Sequence, residues 1–101
     1  MVVAAMATIV GHAPGMDSIA RIATDEIEGW LREYPGYRGL LVLTDEAGEQ
    51  SRVITLWETA EDELRARESR GAMRDRVAAT VGMTVVGMDV CDVPVLELVE
   101  S

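Results

Sequence analysis

The sequence predicts an α+β domain whose elements follow the order strand, helix, strand, strand, helix, strand. Three observations carry this prediction. Apolar runs of strand length open the chain and recur later, two segments have the apolar spacing of amphipathic helices, and Gly- or Pro-containing breaks separate these segments. At 101 residues, the chain suits one domain, 1–101, that buries a core without cross-links.

The first strand is the nearly unbroken apolar run Val2 to Val10, and Pro14-Gly15 breaks the chain after it. The first helix is expected to begin near Asp17, a suitable N-cap, and to end at Pro35-Gly36, because proline cannot continue a helical ladder. Apolar residues recur along it at three- and four-residue spacing: Ile19, Ile22, Ala23, Ile27, Trp30, Leu31 and Tyr34.

The second and third strands are predicted at Tyr37 to Thr44 and at Arg52 to Trp57. Between them lies a short polar loop, 45–49, which contains a glycine. A loop of this length and composition joins neighbouring antiparallel strands, so we expect a hairpin.

The second helix is predicted to begin at Thr59, because a threonine followed three residues later by Asp62 resembles a capping box. Gly71 is expected to break or bend this helix, and Gly82 to end it. The final strand is predicted from Thr84 to Val99, with a bend near Asp92-Val93-Pro94, where proline removes one ladder donor.

This order of elements is the split βαβ, or ferredoxin-like, arrangement, with an antiparallel sheet and two helices on one face. The other face of such a sheet is usually polar. Here apolar side chains fall on both faces of the strands, as in the run Leu40 to Leu43. Large exposed apolar patches are rare on monomers, so we expect a homodimer formed through the open sheet face.

Charge and cysteine content limit the partners and the compartment. The formal net charge is -9, from 18 acidic and 9 basic residues, which disfavours binding to nucleic acid or to an anionic membrane. One cysteine, Cys91, and one histidine supply neither a disulfide nor the spacing of a metal site. The first apolar run lacks a basic flank, so we expect a soluble cytoplasmic protein without a membrane span.

The run from Val53 to Glu61 reads Val-Ile-Thr-Leu-Trp-Glu-Thr-Ala-Glu and passes from a strand into the second helix. With the element order and the two-sided strands, this run resembles the antibiotic biosynthesis monooxygenase family. The resemblance implies a dimeric α+β barrel with a pocket between sheet and helices in each subunit. It also implies oxidation of a small quinol- or anthrone-like aromatic molecule by dioxygen, with no cofactor.

One site residue of the family has a clear match in this chain. The tryptophan at the end of the third strand lines the pocket in active members, so the resemblance implies the same position for Trp57. Other family positions differ. This chain contains no asparagine and its second helix has no histidine, which disfavours haem degradation, an activity of some relatives. The second helix also lacks the tyrosine of the quinone-forming enzymes. A non-catalytic dimeric protein that binds small ligands, or serves in stress responses, is therefore the alternative hypothesis.

Two residues are candidates for catalysis. Trp57 could stack on a planar substrate, and His12 could remove a phenolic proton, because an unperturbed imidazole titrates near neutrality. Trp30, Tyr34 and Arg74 are candidates for substrate binding. The alternative is that the aromatic residues only fill the core, that His12 is a solvated loop residue, and that the arginines of the second helix form a salt-bridged surface.

Overall fold

The computed structural model describes residues 1–11, 21–80 and 82–99, apart from the side chains of Ala23, Thr24, Glu26, Arg74 and Thr80. The strands within these ranges are β1 (Val3–Val10), β2 (Tyr37–Thr44), β3 (Gln50–Trp57) and β4 (Thr84–Asp92). Helix α1 contains a π-helical segment, Ala23–Glu28, and an α-helical turn, Gly29–Leu31, and helix α2 is Ala60–Thr80. None of the described helices has the length and apolar composition needed to cross a membrane.

The strands form one antiparallel sheet in the order β2-β3-β1-β4. This is the strand order of the ferredoxin-like arrangement, so the predicted α+β fold is confirmed. The predicted breaker Pro14-Gly15 and the helix N-cap Asp17 lie outside the described residues. Helix α1 ends at Leu31, and Tyr34 lies in the turn beyond it, where its N–H bonds the Leu31 carbonyl at 3.0 Å.

The two faces of the sheet differ in burial. On β1 the side chains of Val3, Ala5, Ala7 and Ile9 are buried, and the residues between them are half-buried. Because directly paired residues of antiparallel strands share a face, Thr55 lies beside Ala5 on the buried face. Both helices cover this face, and the small alanine side chains of β1 leave space between sheet and helices.

Helix α2 has a cap at each end. The Thr59 hydroxyl accepts the Asp62 N–H at 3.2 Å, as the predicted capping box requires. At the other end, the Met83 N–H bonds the Ala78 carbonyl at 2.8 Å in a Schellman motif, and Gly82 adopts a φ of 75°. The predicted break at Gly71 is wrong, because a single glycine costs only about 1 kcal/mol and this 21-residue helix continues through it.

The predicted extension of the last strand to Val99 is also wrong, since β4 ends at Asp92. The Val93 N–H makes one more bond, to the Val2 carbonyl at 2.9 Å. Pro94 then has no N–H to donate, so strand pairing stops there. The following apolar side chains lie in irregular structure and are largely exposed, Leu98 by 83%.

The sheet face opposite the helices carries apolar side chains, as the strand pattern predicts, together with the exposed Arg52 and Asp89. Leu41 is 49% exposed and pairs with the half-buried Ile54, which in turn pairs with Met6. Leu43 is also exposed, two residues further along β2. The pairing register places these four apolar side chains on one face, away from both described helices.

Candidate functional site

A cavity of about 60 Å³ lies between the buried face of the sheet and the two helices. Residues of β1, β3 and β4 form its floor: Ala5, Ala7, Ile9, Val53, Thr55 and Met88. The two helices form its walls: Ile27, Trp30, Leu31, Arg70, Met73 and Val77. The cavity therefore exists where the alanines of β1 face the helices.

The cavity is small and almost entirely apolar. A cavity of roughly 150 Å³ holds a benzene ring in a well-studied core, so 60 Å³ is less than one aromatic ring needs. Two lining residues, Met73 and Met88, have unbranched and flexible side chains. Rotation of these side chains is the least costly way to widen the cavity.

Thr55 is one of two polar residues among the described residues of the lining, and its hydroxyl already makes two hydrogen bonds. It accepts the indole N–H of Trp57 at 2.9 Å and donates to the Ala5 carbonyl at 3.5 Å. These bonds satisfy the only polar atom of Trp57 and hold its ring in one orientation. The fully buried Trp57 indole is thus anchored to the floor of the cavity.

All four aromatic side chains of the chain form one cluster. Tyr34 lies between the two indoles, edge-on, with centroid distances of 5.0 Å to Trp30 and 6.5 Å to Trp57. Tyr37 meets Trp57 at 5.9 Å. Edge-on pairs of this kind stabilise by roughly 1 kcal/mol beyond their buried area, so the cluster is also a packing unit.

The second polar lining residue is Arg70, whose exposed fraction is only 7%. Its Nη2 donates to Glu63 Oε1 at 2.6 Å, and its Nη1 donates to the Glu63 carbonyl at 3.4 Å. The guanidinium carbon lies 5.5 Å from the centroid of the Trp57 ring, within cation–π distance. The hypothesis that all the arginines of this helix lie on a solvated surface is therefore wrong for Arg70.

Glu63 is 1% exposed and is shared between two arginines. Arg67 donates to it from Nε at 3.0 Å and from Nη2 at 2.6 Å, while its own side chain is half-exposed. Burial alone would raise the pKa of the Glu63 carboxyl, but the hydrogen bonds and charges of Arg67 and Arg70 outweigh it and lower the pKa. The carboxylate is therefore ionised throughout the neutral range.

The sequence contains a signal for this buried pair. Counting back from Val77 and Met73 in steps of three or four residues reaches Arg70, Ala66 and Glu63. The apolar stripe of α2 thus continues into two charged residues. Leu64, by contrast, is 60% exposed, so the apolar residue points outward while the charged neighbour points inward.

The structure brings together only some of the site residues that the sequence predicts. Trp30 lines the cavity, whereas Trp57 and Tyr34 pack beside it and, within the described ranges, do not belong to its lining. His12 lies outside the described residues, as does the side chain of Arg74 on α2. In the part of the chain that is described, no three His, Cys, Asp or Glu side chains are arranged to hold a metal ion.

No family model and no curated protein matches this sequence. Solved structures do match it in fold. A monooxygenase from the gene ActVA-Orf6 of Streptomyces coelicolor, solved with nanaomycin D, is 16% identical with a TM-score of 0.66, covering 99% of this chain and 92% of that one. SnoaB, a cofactor-independent oxygenase from Streptomyces nogalater, is 14% identical with a TM-score of 0.68, covering 94% and 95%.

A Deinococcus radiodurans protein, described as a candidate antibiotic biosynthesis monooxygenase, aligns over 100% of both chains with a TM-score of 0.64 and 13% identity. These identities are low, so the agreement concerns the backbone and its topology. The three matches cover 99%, 94% and 100% of this chain. The chain thus has the α+β fold of the antibiotic biosynthesis monooxygenases, as its sequence resemblance predicts.

Proposed function

We propose that the protein is a cofactor-independent monooxygenase that oxidises a small quinol- or anthrone-like aromatic molecule with dioxygen in this cavity. The observation that carries the proposal is the apolar space walled by Trp30, whose described lining contains two polar residues, Thr55 and Arg70. An apolar space with few polar groups suits a planar aromatic molecule and excludes water. The fold similarity to oxygenases supports the same class of activity.

The proposed reaction balances without an added reductant. A base removes the phenolic proton, and the phenolate transfers one electron to dioxygen. The two radicals join at the ring carbon para to the oxygen, which forms a C–O bond. The protonated base returns its proton to the terminal oxygen of this peroxide. Removal of the C–H proton from the same carbon then cleaves the O–O bond and leaves a quinone carbonyl, and the departing hydroxide takes up that second proton to become water.

In this proposal the chain's aromatic residues have different tasks. Trp30 offers a ring at the cavity wall for stacking, while Trp57 and Tyr34 support that wall from behind. His12 is the proposed base, because a neutral imidazole can accept a phenolic proton near neutral pH. Arg74 is a proposed further contact to the substrate. The roles of His12 and Arg74 rest on the sequence pattern alone.

We also propose that two copies associate through the apolar sheet face that contains Leu41, Leu43 and Ile54. A two-fold dimer would cover the same face on both copies, and neither described helix covers it. Such an arrangement would leave one cavity in each subunit, on the opposite side of its sheet.

A non-catalytic protein that binds small ligands is the second candidate. Two observations favour it. The cavity is smaller than one aromatic ring needs, and its described lining contains no carboxylate, imidazole or phenol that could act as a general base. This hypothesis predicts binding of small apolar molecules without oxygen consumption.

Oxygen uptake with a panel of quinols and anthrones separates the two candidates, after the rate in protein-free solution is subtracted. We expect uptake with at least one compound and its loss in Ala7→Val, which places two methyl groups in the cavity. Ala4→Val adds the same groups on the opposite face of the same strand and should retain the activity. Trp57→Ala should lower the rate, because it removes a ring that supports the cavity wall from behind through Tyr34.

Binding without uptake for every compound would instead favour the non-catalytic candidate. Equal loss of uptake in Ala4→Val and Ala7→Val would contradict the location of the reaction in this cavity. Circular dichroism of each variant shows whether a loss of activity reflects a loss of fold.

A further inference from the structure

We propose that Arg52 and Asp89 form two reciprocal ion pairs across a two-fold dimer, in which each arginine meets the aspartate of the second copy. The inference rests on the proposed association through the open sheet face. It deepens that proposal, because it names the contact that fixes how the two copies are turned relative to each other.

The pairing register places both charged residues on the sheet face that the described helices leave uncovered. Arg52 on β3 pairs with Thr8 of β1, and Asp89 on β4 pairs with Met6 of the same strand. The two residues therefore lie on either side of β1 and two residues apart along it, which puts their Cα atoms roughly 12 Å apart. They are the charged residues among the strand-paired positions of this face.

Both side chains are exposed, and in the part of the chain that the structure describes neither has an ion-pair partner. In a monomer both charges stay hydrated. A dimer that covers the face would take them out of water, and a buried charge without a partner strongly destabilises the buried state. Association through this face therefore requires a counter-charge for Arg52 and another for Asp89.

A two-fold axis supplies both counter-charges at once. In a two-fold interface, when one residue contacts a second residue of the other copy, the reverse contact forms as well. The axis must pass between Arg52 and Asp89, over β1 near Met6 and Thr8, because a charged residue on the axis would face its own copy and meet a like charge. Packed sheets lie about 10 Å apart, a gap that facing arginine and aspartate side chains can span.

The net charge of the chain makes the balance of charge on this face important. Each copy carries a formal net charge of -9, so two copies repel each other at a distance. The strand-paired positions of the open face hold one positive and one negative charge and are neutral in sum. Like charges in contact across an interface are unfavourable, so Arg52 and Asp89 select one orientation among those that the apolar side chains alone would allow.

Charge reversal tests the reciprocal pairing. Arg52→Glu and Asp89→Arg each place like charges at both contacts of a homodimer, so each should weaken dimerisation about a hundredfold or more, as measured by light scattering over a range of concentrations. An equimolar mixture of the two variants restores opposite charges at both contacts. Native mass spectrometry of the mixture should show a dimer with one chain of each variant, because the two chains differ in mass. The double variant Arg52→Glu/Asp89→Arg should again form a homodimer.

Two reversals on α2 are the matched controls. Arg65→Glu and Glu68→Arg change the net charge by the same amounts as the test variants, but both side chains are exposed on the helix that covers the opposite face of the sheet. Both controls should dimerise as the wild type does, which separates the local contact from the effect of net charge. Circular dichroism shows whether each variant is folded.

Each contrary result has a separate meaning. If the wild type is dimeric and Leu41→Glu is monomeric, but the charge reversals leave the dimer intact, this inference is wrong and the proposed interface stands. If the double variant dimerises and the mixture of single variants forms no mixed dimer, the two charges act within one chain and the inference is again wrong. A monomeric wild type would overturn both the ion pairs and the interface.

Discussion

At the scale of single residues, the Glu63 carboxylate is hydrogen-bonded to both Arg67 and Arg70. It is buried on α2 and fixes the guanidinium of Arg70, whose side chain lines the cavity. Buried ion pairs are costly to form and more costly to break, because removal of one partner leaves the other charge without compensation. The stability of the protein is therefore sensitive to changes in this pair.

Glu63→Gln is expected to lower the free energy of unfolding by about 2 kcal/mol at neutral pH, since Arg70 loses its charged partner. The arginines lower the pKa of the Glu63 carboxyl in the folded protein below its ordinary value of 4.5. The contribution of the ionised Glu63 carboxylate to the free energy of unfolding is therefore complete above about pH 4.5, and it is lost as the pH falls through the lowered pKa. Urea unfolding from about pH 7 to about pH 3 should show the wild type and Glu63→Gln converging.

Glu68→Gln is the matched control, because Glu68 is an exposed carboxylate on the same helix. It should change the free energy of unfolding by less than about 0.5 kcal/mol. The wild type and Glu63→Gln could also differ in free energy of unfolding by the same amount down to the lowest pH. That result would contradict the assigned role of the carboxylate.

At the scale of elements, the turn between α1 and β2 packs against the start of α2. Gly36 adopts a φ of 81° and its carbonyl accepts the Glu58 N–H at 2.8 Å. A Cβ at this position would overlap the Asp62 carboxylate, which itself accepts a hydrogen bond from the Thr59 hydroxyl at 2.9 Å. The turn and the cap of α2 are thus packed against each other.

Gly36→Ala is expected to destabilise the protein by about 2 kcal/mol or more, from backbone strain together with displacement of Asp62. Gly48→Ala has a similar positive φ of 71° with no neighbour within 4 Å of the added Cβ, so it isolates the strain alone. Urea unfolding of both variants measures the difference. Equal destabilisation by the two substitutions would show that the contact with Asp62 contributes nothing.

At the scale of the whole molecule, the two faces of the sheet differ in what covers them. One face is covered by both helices and contains the cavity, while the other exposes Leu41 and Leu43. Exposed apolar side chains on one face favour association. We therefore expect the association state to depend on this face and the fold to depend on the other.

Light scattering at micromolar concentration is expected to give the mass of a dimer for the wild type. Leu41→Glu should shift it to the mass of a monomer, because the face would bury an unpaired carboxylate in the dimer. Leu64→Glu places the same charge on an exposed leucine of α2 and should remain dimeric. A monomeric wild type would remove the proposed interface, as would a dimeric Leu41→Glu.

Local patterns in the sequence determine most of the elements. The apolar run of β1, the hairpin of β2 and β3 and the Thr59 cap depend on neighbours within a few residues, so these predicted elements closely match the observed ones. The last strand was predicted too long because apolar residues continue beyond Pro94. Composition alone does not show whether a segment has a neighbouring strand with which it can form backbone hydrogen bonds.

The site depends on contacts between residues distant in the sequence. The sequence by itself determined the element order, the apolar strand faces and the position of Trp57 at the end of β3. Only the tertiary structure decided that Trp57 packs behind the cavity, that Ala5 and Ala7 open a space beneath the helices, and that Arg70 points inward with Glu63. The physical reason is that helical spacing defines a face but not its environment, and burial of a charged pair depends on the packing that surrounds it.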